Sequence, residues 1–191
     1  MKIDYNSPVI LSFTLIAVVV MAISSVTGGL LTQQFFSVSP LMSLFSPFTY
    51  FRLFSHIIGH ADWGHLAGNF SLILLIGPLL EEKYGSSLML LMILATAFIT
   101  GVLNMFFFST GLYGASGIVF MLILLSSLSR VKTGHIPLTF ILVVALFLGK
   151  EVLNSLKPDG VSQFAHIVGG LCGSIFGFLK REKPVAEDTA Q

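Results

Sequence analysis

Long apolar runs separated by short polar connections set the pattern of the chain. Six can be read: Val9–Leu31, Leu66–Leu80, Ser87–Phe108, Ser116–Leu128, Ile136–Leu148 and Val161–Leu179. A helix that crosses a bilayer takes about 20 predominantly apolar residues, so six would use roughly 120 positions and leave about 70 for loops and tails. A chain of 191 residues accommodates that as one polytopic all-α membrane domain, a six-helix bundle. The second, fourth and fifth runs are short and draw on His65, the loop beside Gly117 and Leu153 to complete a span. Lys2 precedes the first run as in a signal peptide, but the run is too long for one, so an uncleaved first span is expected. The expected organisation is a short N-terminus over residues 1–8, the membrane domain over 9–179, and a polar, disordered tail over 180–191.

Composition removes the other classes. Hydrophobic residues make up 54% of the chain and charged ones 10%, with a mean hydropathy of +0.92. Soluble domains carry about 25% charged residues to cover their surfaces. Glycine is aperiodic and aromatics are plentiful, which excludes collagen-like and disordered chains. Cys172 is the single cysteine, so it forms no internal bridge and says nothing of redox compartment. A net charge of +1 gives no electrostatic footprint for nucleic acid.

The basic residues give an orientation. With six spans, Lys2, Lys83, Arg130, Lys132, Lys180, Arg181 and Lys183 share one side, and Arg52, Lys150 and Lys157 the other. Cytoplasmic loops are the richer in Lys and Arg, so both termini are expected in the cytoplasm. The connection Thr32–Gly64 is unlike a polar loop: it is crowded with Phe, Leu and Tyr, with Arg52 the only charge before Asp62. Such a segment either lies in the membrane interface or packs on the bundle. No internal repeat is visible, which weakens a reading as an inverted-repeat transporter.

Polar groups inside a membrane are costly and mark function. His65 and Asn69, four apart, share one face of the second span, with Asn69 about 9 Å below Trp63 at 1.5 Å per residue. Ser116 enters the fourth span behind Gly114 and Ala115, and His166 lies roughly 9 Å below Gly160 in the sixth. Ser, His, His and Asn thus fall in one layer on three helices running inward. Taken singly, a Gly-flanked Ser reads as a packing site and a buried His as structural. His56, His60, His65 and His166 could be weighed as metal ligands, but no H-E-x-x-H, carboxylate or Cys accompanies them, so no metal is expected. Asp4, Asp62, Asp159 and Asp188 all fall in loops or tails, which excludes an aspartyl intramembrane site.

Serine is a weak nucleophile until a base takes its proton, and imidazole is the usual base. The ridge Ala165, Gly169, Gly173, Gly177, at intervals of four, lets the sixth helix approach the fourth closely, opposite the bare Gly117. With no acid in the layer, Ser116 and His166 read as a dyad rather than a triad. Asn69, His65 and the Ser116 backbone N–H read as oxyanion donors.

These residues resemble the rhomboid family of intramembrane serine proteases, in its basic six-helix bacterial form. The resemblance runs from Tyr50 to Phe178. It rests on Phe51-Arg52 with His56, His60, His65 and Asn69; on Glu81-Glu82-Lys83-Tyr84-Gly85-Ser86; on Gly114-Ala115-Ser116-Gly117; and on Ala165-His166 with Gly169 and Gly173. It implies Ser116 as nucleophile, His166 as general base, no cofactor, and a water-filled cavity open to the outside. It implies single-pass transmembrane substrates cut near the outer ends of their helices, and residence in a bacterial inner membrane. Phe51 stands where many relatives have Trp. Phe120 stands where many have Tyr, so its ring can pack on His166 but a hydroxyl hydrogen bond is lost. Two other readings compete: a rhomboid-like protein without catalysis that binds or escorts membrane clients, and, on composition alone, a small transporter. His56, His60, His135 and Cys172 are expected to be structural or interfacial.

Overall fold

Pro8, whose fixed φ suits the first position of a helix, opens α1 (Pro8–Val26). The computed structural model describes residues 4–40, 42–129, 136–148 and 163–179. α1 stops short of the expected Leu31 because Gly28 and Gly29 adopt φ of +63° and +85° and turn the chain into α2 (Leu30–Phe35). Positive φ is a conformation that glycine alone adopts freely, and hydropathy carries no trace of it. The aromatic connection that follows is partly helical: a second proline opens α3 (Pro47–Ser55).

α4 (Trp63–Tyr84) is longer than the apolar run Leu66–Leu80 that announced it. Asp62 is the reason at its start, its carboxylate accepting the His65 backbone N–H at 2.8 Å as an N-cap. Gly85, at φ +82°, separates α4 from α5 (Ser86–Phe107). There follow α6 (Ser116–Leu128), α7 (Leu138–Val143), which continues as a π-helical turn over Val144–Leu148, and α8 (Gln163–Leu179). α1, α4 and α5 are long and apolar enough to cross a bilayer, and α6 and α8 are shorter apolar helices. Among the described residues the architecture is all-helical. The expected tail 180–191, His135, and all the basic residues used for orientation except Arg52 and Lys83 lie outside the described residues.

α6 forms the centre, with every residue from Gly117 to Leu125 buried. A helix apolar all round belongs inside a bundle. α8 lies against it in parallel, and bare backbone makes that possible. A Cβ on Gly169 would stand 2.0 Å from the Gly117 carbonyl oxygen, and one on Gly173 2.1 Å from that of Met121. A Cβ on Gly177 would meet Leu128 at 2.8 Å. The small-residue ridge is therefore the α6–α8 interface. Outward faces carry exposed Leu75, Leu79, Leu91, Leu171 and Ile175, which suit lipid and not water.

The other end of the bundle is held by one carboxylate. Glu81, 3% exposed at the end of α4, accepts the Val9 and Ile10 N–H groups at 3.0 and 2.9 Å and the Ser86 hydroxyl at 2.7 Å. It thus satisfies two of the amides that begin α1, while Pro8 has none to satisfy. Arg52 is remote from it and donates to the Gln34 carbonyl. Replacing Glu81 by Ala leaves two amides without acceptors, at about 1–3 kcal/mol each. Thermal unfolding in detergent is expected to show a loss of that order, with Glu81→Gln intermediate because one oxygen survives. An Ala variant as stable as the parent would remove this role.

Candidate active site

Three helices begin at the same end of the bundle, and their first turns carry the residues singled out above. α4 supplies His65 and Asn69, α6 begins at Ser116, and α8 supplies Ala165 and His166. Ser116, His65 and His166 are partly accessible, whereas Asn69 is buried.

Glycines set the approach. Gly114 has φ +118°, and a Cβ there would stand 2.8 and 2.9 Å from ring atoms of His65 and 3.8 Å from the Asn69 amide nitrogen. Only a bare backbone lets those two side chains reach the turn before Ser116. Gly117 plays the same part toward α8, its Cβ position lying 3.2 Å from the Ala165 carbonyl oxygen. One turn further along α6, Phe120 stacks on His166 with ring centres 4.4 Å apart and planes 4° from parallel. The phenyl ring thus packs on the imidazole as expected.

The loop between α3 and α4 does what spacing did not reveal. The His56 carbonyl accepts the Gly114 N–H at 2.9 Å. The His60 ring accepts the Ala115 N–H at 3.3 Å and the Asn69 amide at 3.1 Å, both through Nε2. Its Nδ1 lies 3.0 Å from the Ile58 carbonyl, a contact that requires the proton on Nδ1 and so leaves Nε2 free to accept. His60 therefore ties Asn69 to the turn that presents Ser116. It also packs edge-on to His65, ring centres 4.9 Å apart. Farther out, Val38 and Leu112 exchange backbone hydrogen bonds of 2.9 and 2.8 Å, fastening the loop before α3 to the loop before α6. His60 and Asn69 are nine residues apart across a helix start, so no periodicity pairs them.

Both loop histidines sit outside the spanning helices and are 2% and 1% exposed. Burial pushes His56 down to about 4, against a smaller upward pull from the bond of its Nε2 to the Ala97 carbonyl at 3.0 Å. Burial likewise holds His60 at about 4, with the neighbouring His65 adding to the depression and the Ile58 bond and Asp62 opposing it. An exposed histidine titrates near 6.5, so the unfolded chain takes up protons that the folded chain refuses. The stabilisation is complete above about pH 6.5 and is lost as pH falls to about 4, on the order of 3 kcal/mol per ring. Unfolding temperatures measured between pH 7.5 and 4 are expected to fall on that limb, and less steeply in His56→Asn. A flat profile would contradict the burial of neutral rings.

Among the described residues, no group of three or more His, Cys, Asp or Glu side chains is placed to hold a metal ion. Cys172 is buried in α8. The chemistry available here is that of a hydroxyl, two imidazoles and an amide facing a bare backbone turn.

Comparison with known proteins places the chain in a family. The family model described as "Rhomboid domain" matches residues 47–183. The chain is 26% identical over 132 residues to a protein named rhomboid protease GlpG from Haemophilus influenzae, covering 67% of this chain and 68% of that one. It is 24% identical over 178 residues to rhomboid-like protein 11, chloroplastic, from Arabidopsis thaliana, covering 83% of this chain and 64% of the relative. The domain match takes in α3 to α8, three helices of the chain are long and apolar enough to cross a bilayer, and on that ground the chain is an integral membrane protein of the rhomboid family.

Proposed function

We propose that the chain is a serine endopeptidase that hydrolyses a peptide bond in or near the outer end of a substrate's transmembrane helix. Ser116 attacks the carbonyl carbon while His166 takes the hydroxyl proton. The resulting oxyanion is met by His65, Asn69 and the Ser116 N–H. His166 then returns the proton to the leaving amine, and a water, activated by the same imidazole, hydrolyses the acyl-enzyme. The observation that carries this reading is the stack of His166 on Phe120 one turn below Ser116, across helices joined at Gly117 and Gly169. It holds the candidate base beside the helix that begins with the candidate nucleophile.

Gly114, Gly117, Gly169 and Gly173 support the site by clearing space, and Phe120 by orienting the imidazole. Six spans, cytoplasmic termini, single-pass membrane substrates and residence in a bacterial inner membrane complete the proposal. No cofactor enters the chemistry.

A fluorophosphonate probe tests the reading directly, because it reacts only with a serine that a base activates. The expected result is one adduct on Ser116, lost in His166→Ala although that variant keeps the serine. No adduct on Ser116 in protein that cleaves no membrane substrate would favour the non-catalytic client-binding alternative. His60→Ala should lower turnover about 10²-fold by loosening Asn69 and the Ala115 turn, with KM little changed. The kcat and KM values of that variant in micelles check it.

A further inference from the structure

α1 and α5 stand apart along their first halves, and α3 roofs the gap. His56 bonds to Ala97, and Phe54 stacks on Phe98 with ring centres 5.4 Å apart, which fixes the roof just beyond Leu94. Beneath it lies a cavity of about 640 Å³, bounded among others by Ser12 and Ile16, Leu90 and Leu94, and Phe51 and Phe54. Its walls are almost wholly apolar. Ile16, Leu90 and Leu94 are 50%, 45% and 37% exposed, so the cleft opens sideways into the bilayer.

Its shape chooses the occupant. From Ser86 to Leu94 α5 rises about 12 Å at 1.5 Å per residue, close to the roughly 15 Å of one leaflet's hydrocarbon. A helix about 10 Å across needs a groove that continues past the middle of the membrane, and α3 closes this one. A single acyl chain stops where the cleft stops. Ligand pockets measure about 300–1,000 Å³, and this one falls within that range.

The open end adds a polar part. Ser86 also borders a second recess of about 460 Å³, which Asn6, Ser7, Glu81 and Glu82 line. Glu81 is committed to α1 and Ser86, while Glu82 is exposed beside it. Among the described residues, Glu81 and Glu82 are the charged side chains that line this recess. An apolar slot one leaflet deep thus meets an acidic pocket at the depth of lipid headgroups.

We propose that this cleft binds one phospholipid whose headgroup ends in a primary ammonium, with an acyl chain between α1 and α5 and the ammonium at Glu82. The headgroup end of the site lies at the opposite end of the bundle from Ser116, and the proposal does not depend on the catalytic reading.

Native mass spectrometry of the full chain, in micelles doped equally with phosphatidylethanolamine and phosphatidylglycerol, tests it. The expected result is one retained lipid, the amine form favoured by about fivefold, as one interfacial charge contact gives. Leu90→Trp, which fills the slot from an exposed position, should cut retention severalfold by returning the chain from its packed place between α1 and α5 to the micelle. Glu82→Gln should keep a lipid and lose the headgroup preference. Equal retention of the two lipids by the parent chain overturns the proposal, as does undiminished retention by folded Leu90→Trp, or a second protein copy in place of lipid. Where circular dichroism shows Leu90→Trp unfolded, Glu82→Gln decides alone: an unchanged preference overturns the proposal.

Discussion

Gly169→Val is expected to be the most damaging single substitution for folding. Its Cβ would stand 2.0 Å from the Gly117 carbonyl oxygen, 2.7 Å from the carbonyl carbon and 2.9 Å from the Cα. All three are backbone atoms of the central helix, so no rotamer change relieves the clash, and α8 must move away from α6. Gly173 faces Met121 in the same way, so a tilt about one contact closes the other. Overpacking typically costs about 1–3 kcal/mol, and a clash with backbone on both sides of the seam belongs at or above the top of that range. Gly68→Ala is the matched control. It lies on the exposed side of α4, nothing stands within 4 Å of its added Cβ, and helix propensity favours Ala by about 1 kcal/mol. Thermal unfolding of both variants in one detergent should therefore shift in opposite directions. Equal shifts would show that the α6–α8 seam is not held by backbone contact.

The largest expected effect on activity separates the dyad from the oxyanion donors. Under the proposed mechanism Ser116→Ala and His166→Ala each remove a group without which no acyl-enzyme forms, and turnover should fall to background. Asn69→Ala removes one donor of three, which costs about 10²–10³ in kcat. The double variant His166→Ala with Asn69→Ala should be no slower than His166→Ala alone, because groups that act as a unit are not additive. Single-turnover cleavage of a model transmembrane substrate in vesicles reads all four proteins. Retention of more than about a tenth of turnover in His166→Ala would remove the imidazole from the mechanism, since general-base catalysis contributes about 10²–10⁴.

The Phe120 stack connects the two results. A tyrosine hydroxyl could hold imidazole by a hydrogen bond, whereas phenylalanine holds it by face contact alone, here with planes nearly parallel. That contact requires α8 to sit close, and the closeness comes from Gly169 and Gly173. Packing of the seam and orientation of the candidate base are therefore one property of α6 and α8.

Much of this was legible in the chain. The apolar runs gave the long helices because hydrophobic length is what a bilayer selects. Glycines at intervals of four gave the α6–α8 interface because a helix brings such positions onto one face. The layer of Ser116, His166, His65 and Asn69 could be counted along helices that start at one end. What the runs missed were breaks of backbone, not of hydropathy: the first run ends at Gly28 and Gly29 and continues as a separate short helix.

Contacts between segments distant in sequence were beyond any periodic pattern. Glu81 caps a helix that begins some seventy positions earlier, and His60 joins Asn69 to the Ala115 turn across three separate elements. The sequence by itself determined that this is a membrane protein and which helices could touch, because those follow from composition and from spacing within one helix. Tertiary structure alone decided which loop pins the turn before Ser116, that His56 and His60 are held neutral, and that α1 and α5 part beneath α3. Each of these depends on the distance between chain segments that fold together without any shared period.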